Sequence, residues 1–161
     1  MIESTEVLWQ RYVATLPAEH SHRHAHPDEF AFGDSPALAN ELAALVQSGR
    51  KRATASLPLE FTSLGLPLPA AGDVSIVKRA DGVPVAIIEL FEVRLVPFEA
   101  VDAAFAADEG EGDGTLAWWR AAHRAYFSRV SARLGGKFDG TTPVICQRFR
   151  LLWSGATEPI A

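Results

Sequence analysis

A helix that stops on a glycine and passes the chain through three cations into a strand constrains this sequence more than any other feature. Ser35 reads as an N-cap and Pro36 as the first helical residue. Leu38, Leu42, Leu45 and Val46 then recur at the spacing of a buried helical stripe, through Ser48. Gly49 stands where a left-handed residue closes a helix. Arg50, Lys51 and Arg52 follow, where the negative end of the helix dipole favours cations. The alternation Ala53, Thr54, Ala55, Ser56, Leu57 suits the start of a strand. Lys51 and Thr54 are therefore expected at one fixed corner. A partly dry setting there lowers a lysine pKa far enough for it to take a proton from a hydroxyl.

The chain has 161 residues, 48% of them hydrophobic, which suits one domain with a proper core. No apolar run approaches the length that spans a bilayer, and no charged-then-apolar leader precedes the first helix. With Cys146 as the only cysteine, no internal disulfide forms, and the expected setting is the reducing cytoplasm. A formal net charge of -5 excludes a protein that coats nucleic acid through a broad basic face, but leaves room for a small nucleotide site with local cations.

Along the chain, Ser4 to Leu16 predicts a first helix, with Val7, Leu8, Tyr12 and Val13 on one face, and His20 to Phe32 a loop. Pro58 to Pro69 reads as a short helix or turn, Val74 to Lys78 as a strand, and Asp81-Gly82 as a hairpin connection. Val85 to Val96 is one bent strand or two short ones. Pro97 opens a short helix through Val101 and Phe105, and Asp108 to Gly114 is an acidic, glycine-rich loop. Thr115 caps the longest helix, with Leu116, Trp119, Tyr126, Phe127 and Val130 inward and Gly135-Gly136 at its end. Val144 to Trp153 is the closing strand. Strands dispersed among helices, with a hairpin and no regular βαβ alternation, predict an α+β fold with a curved, partly closed sheet. Residues 1–29 form an N-terminal helix and loop packed on the domain, 30–153 the domain itself, and 154–161 a loose tail.

The order of these pieces carries a resemblance. Phe32-Gly33-Asp34-Ser35, the helix ending Gly49-Arg50-Lys51, Thr54, Gly72-Asp73, Glu109-Gly110-Glu111-Gly112-Asp113, the helix with Trp118, His123 and Phe127, and the strand Val144 to Phe149 follow one another as in the ASCH domain family. The chain resembles in particular its larger bacterial members. The likeness covers about Phe30 to Trp153. It implies a PUA-like fold, a small β-barrel of curved mixed sheet flanked by helices, with a cleft for RNA or a small modified nucleoside. Hydrolysis of N4-acetylcytidine or cleavage of RNA is implied as well. By motif, Lys51 and Thr54 match the working lysine and threonine of the acetylcytidine amidohydrolases. Glu111 is the best match for their glutamate, with Glu109 second. Ser56 stands where those small hydrolases carry an arginine, a departure that bears on substrate preference.

The chemistry expected is amide cleavage: Lys51 deprotonates Thr54 or a water, and Glu111 or Glu109 protonates the departing amine. A noncatalytic RNA- or nucleotide-binding module is the rival reading. Arg50 and Arg52 suit phosphate, Ser56 and Ser128 lie within reach of a cleft, and Trp118, Trp119 or Tyr126 offers a stacking face, although aromatics at helical spacing are more often core. The acidic loop lacks the spacing of a calcium site, and the histidines from His20 to His26 have no fixed further ligand, so no metal and no cofactor is expected. Cys146 reads as a small core residue.

Overall fold

The computed structural model describes residues 3–155. Its helices are α1 (Thr5–Ala14), α2 (Pro36–Gln47), α3 (Pro58–Thr62), α4 (Ala103–Glu109) and α5 (Leu116–Arg133). The strands are β1 (Asp28–Phe30), β2 (Ala53–Ser56), β3 (Val74–Lys78), β4 (Pro84–Pro97) and β5 (Pro143–Ser154). They are hydrogen-bonded in the order β1-β3-β4-β5-β2, a mixed five-stranded sheet. The α+β class holds. The order leaves β1 and β2 as edges, so the partial closure expected of the sheet is not found among the described residues.

The chain divides into two compact units, and the long strands β4 and β5 each give one part to either. The first comprises residues 3–49, 72–89 and 150–155. There the face of α1 bearing Leu8, Trp9 and Val13 packs with Val74, Ile76 and Ile87. Pro84–Ile88 is buried throughout, the pattern of a strand covered on both sides. Ser35 accepts the Leu38 amide and caps α2 as its sequence predicts, and the helix buries Ala39, Leu42, Ala43 and Val46. One expectation fails in this unit, at two places. The stretch read as a loop holds a 3₁₀ turn at Ser21–His24 and strand β1, which pairs in parallel with β3 from Asp28↔Ser75 to Phe30↔Val77. His22 is buried there, with Nε2 2.7 Å from Glu89 Oε2 and Nδ1 3.1 Å from the Tyr12 hydroxyl. It anchors the turn.

The second unit comprises Arg50–Ala71 and Leu90–Phe149. Its core joins Ala53 and Leu57 to Phe98, Phe105, Trp119, Phe127, Val130, Val144 and Cys146. Phe98 stacks on Trp119 with ring centroids 5.5 Å apart and meets Phe138 edge-on at 4.9 Å. Cys146 is buried as predicted, and burial pushes its thiol up to about 12. Pro97 ends β4 instead of opening a helix: a 3₁₀ turn follows at Phe98–Ala100, and Asp102 caps α4 by accepting the Phe105 amide. Asp108 and Glu109, read from the sequence as loop, are the last turn of α4, which Gly110 closes at φ +65°. Thr115 caps α5 through the Trp118 amide, as predicted. The buried face of α5 carries His123 and Ser131 as well as Trp119, Phe127 and Val130, whereas Leu116 and Tyr126 are only half-buried.

Candidate functional site

Backbone contacts draw the basic corner against the end of α4. The Arg52 amide donates to the Asp108 carbonyl at 2.7 Å, and the Arg52 carbonyl accepts the Phe149 amide of β5 at 3.0 Å. The Arg50 carbonyl lies so close over Gly110 that any Cβ there would collide with it. Residues 50 and 52 thus abut residues 110 and 108, and the side chains of Lys51 and Glu109 meet between them.

Lys51 is 1% exposed and Glu109 likewise. The Lys51 ammonium donates to Glu109 Oε1 at 3.0 Å and to Glu111 Oε1 at 2.8 Å. The other oxygen of Glu109 accepts the Trp119 indole N–H and stands 3.1 Å from His123 Nε2. His123 Nδ1 donates to the Trp119 carbonyl at 2.9 Å, and the two rings stack 4.2 Å apart at 15°. A carboxylate at a helix C-terminus opposes the dipole, and two cations offset that here. The electrostatics follow from the contacts. Burial alone would raise the Glu109 carboxyl, but the charges of Lys51 and His123 hold it down to about 2. Burial would lower Lys51 and His123 too, yet the facing carboxylates raise both. The lowered lysine pKa expected from the sequence is therefore corrected: two carboxylates outweigh the dry setting, and Lys51 stays an ammonium.

Glu111 completes the cluster from the loop after α4, and its side chain keeps 13% exposure. Two residues expected to touch nucleic acid hold this loop. The Arg50 guanidinium donates to the Gly112 carbonyl at 3.1 Å, and the exposed Trp118 indole covers Gly112 so closely that no Cβ fits beneath it. Arg52 is exposed and donates to Asp108 Oδ1 at 3.2 Å, while Arg148 takes Oδ2 at 2.8 Å and Glu92 at 3.1 Å. Glu109, Glu111 and His123 present ligand atoms within 4.8 Å of one another. The Lys51 ammonium bonds both carboxylates, however, and a donor set with a cation between its anions does not suit a metal ion.

The structure thus brings together Lys51, Glu109 and Glu111. Thr54 lies on β2 opposite Gln147 of β5, on the face that alternates with the core-facing Ala53 and Ala55. Ser56 shares that face, and its hydroxyl accepts the Gln147 side-chain amide at 3.2 Å. Tyr126 donates to Glu60 Oε1 at 3.2 Å, and Glu60 Oε2 accepts the Leu57 amide, so the ring braces the start of α3. Ser128 is exposed on α5. His123 was missed as a site residue. Its signal was present in the spacing of Trp119 and His123, one turn apart on a buried stripe. A cavity of about 520 Å³ in the first unit, lined by Trp9, Arg23, His24, His26 and Glu29 among others, contains none of these residues.

The sequence profile described as the ASCH domain matches residues 28–153. The crystal structure of an ASCH domain from Lactobacillus crispatus JV V101 superposes with a TM-score of 0.85 at 33% identity, covering 91% of this chain and 92% of that one. The crystal structure of a protein from Enterococcus faecalis V583 gives 0.80 at 32% identity, covering 91% of this chain and 86% of that one. No match was found among curated proteins. The profile over residues 28–153 agrees with the fold and identity found over 91% of the chain, and the chain belongs to the ASCH domain family.

Proposed function

We propose that the Lys51–Glu109–Glu111 cluster is the active site of a hydrolase that cleaves the amide of a modified nucleoside of the N4-acetylcytidine type. The ASCH family is generally RNA-binding, which supports a nucleoside or RNA as the ligand class. The observation that carries the reading is a buried ammonium bonded to two carboxylates, one of which, Glu111, retains exposure at a loop. Since Lys51 is held charged, the proton acceptor is Glu111, and water rather than Thr54 is the nucleophile. Water oxygen bonds to the carbonyl carbon while Glu111 takes its proton. The Lys51 ammonium, buried and bonded to Glu111, holds that carboxylate in place; the oxyanion that forms collapses, the C–N bond breaks, and the proton passes from Glu111 to the departing amine. Net charge of -5 favours a small substrate over long RNA.

A noncatalytic RNA- or nucleotide-binding module is the second reading, favoured by the complete burial of Lys51 beside an exposed Arg52. Chromatography of N4-acetylcytidine and of a short single-stranded RNA, each incubated with the protein, separates the two. Deacetylation is expected, with kcat/KM reduced at least about a hundredfold in Glu111→Gln. Salt-sensitive RNA binding without turnover of either compound would establish the module instead. RNA cleavage that survives Lys51→Ala would mark a contaminating nuclease.

A further inference from the structure

We propose that His123 is a positioning residue: as an imidazolium it fixes Glu109 as a permanent anion, so that Glu111 is the carboxylate that meets the substrate. The inference rests on the hydrolase reading for its consequence, but its geometry stands by itself. Both ring nitrogens face oxygens, the Trp119 carbonyl at 2.9 Å and Glu109 Oε2 at 3.1 Å. A carbonyl only accepts, so Nδ1 carries a proton. A neutral ring would then turn a lone pair toward the Glu109 carboxylate, whereas the doubly protonated ring satisfies both oxygens. The indole stacked at 4.2 Å offers a π-face to that cation.

The charged neighbours agree. Glu109 of α4 and Glu111 of the following loop face the ring, and Lys51 lies across the carboxylate from it. Cys146 of β5, in the core with Trp119, is held neutral by burial. Lys51 and His123 thus balance Glu109 and Glu111. Glu109 receives bonds on both oxygens, two of them from cations, and is sealed from solvent. Among the described residues, the Glu111 carboxylate receives a bond from Lys51, and its side chain keeps access to the loop.

Two-bond proton–nitrogen spectra of the full chain labelled in histidine, recorded from about pH 5.5 to 9, test the charge state directly. The expected result is an imidazolium pattern for His123 at about pH 7, with a midpoint that falls by roughly one unit or more in Glu109→Gln. A neutral tautomer at that pH in the unaltered protein would overturn the proposal, whether or not the variant folds. For catalysis, His123→Gln is expected to lower kcat for N4-acetylcytidine about tenfold with little change in KM, and to abolish the loss of activity as pH rises through the His123 midpoint. An alkaline limb that persists unchanged in this variant would overturn the positioning role. If the protein turns over no acetylcytidine, the hydrolase reading fails while the spectra still decide the state of His123.

Discussion

Lys51 carries a charge into a place where an isolated charge does not survive, and its two carboxylate partners make that possible. Removing it by Lys51→Met leaves Glu109 buried with an uncompensated neighbour. We expect a loss of roughly 3–5 kcal/mol, read as an earlier urea midpoint with an unchanged slope. The pH dependence has a definite sign. The Glu109 carboxyl is lowered from 4.5 to about 2, so its stabilisation is fully present above 4.5 and is lost as pH falls toward 2. The size is on the order of 3 kcal/mol. His123 is shifted upward, so its contribution is present below 6.5 and fades as pH rises through the folded value. Denaturant unfolding from about pH 2 to 9 should give a maximum between these limits; a flat acid side would refute the buried charge assignment.

At the level of elements, the corner before β2 and the end of α4 are held together by backbone, which makes the glycines there sensitive. Gly110→Ala places a methyl against the immovable Arg50 carbonyl at a positive φ. A loss of about 2–3 kcal/mol is expected from strain and displacement together. Gly112→Ala meets the Trp118 ring, which is exposed enough to swing aside. Its cost in stability should be nearer 1 kcal/mol, but because the ring and Arg50 hold the loop that bears Glu111, activity should fall further than stability. Thermal unfolding beside kcat/KM for both variants checks this ranking. Equal stability losses with unchanged activity would count against the clamp.

For the molecule as a whole, the formal charge of -5 limits what it can hold. Affinity for a neutral nucleoside should be nearly independent of salt, while a protein neutralising several phosphates would lose binding steeply between about 50 and 200 mM. Titrating both ligands across that range decides which ligand size the site serves. No helix among the described residues is long and apolar enough to cross a membrane.

Much of the fold was legible because its signals are local. Ser35 with Pro36, Asp81-Gly82 and Thr115 act within a few residues of themselves, and each produced the predicted cap or turn. Where partners lie far along the chain, sequence reasoning failed. Asp28–Phe30 shows no alternation and is a strand because β3 offers it an edge. Glu109 read as loop, yet it lies in the last turn of α4, where Lys51, 58 residues before it, and His123 take its charge. By itself the sequence determined which segments turn and cap and which residue types are available for chemistry, since those depend on nearest neighbours. Tertiary structure alone decided that Lys51 stays charged, that His123 pairs with Glu109 and that the sheet is open, because burial and charge pairing are properties of residues brought together from distant parts of the chain.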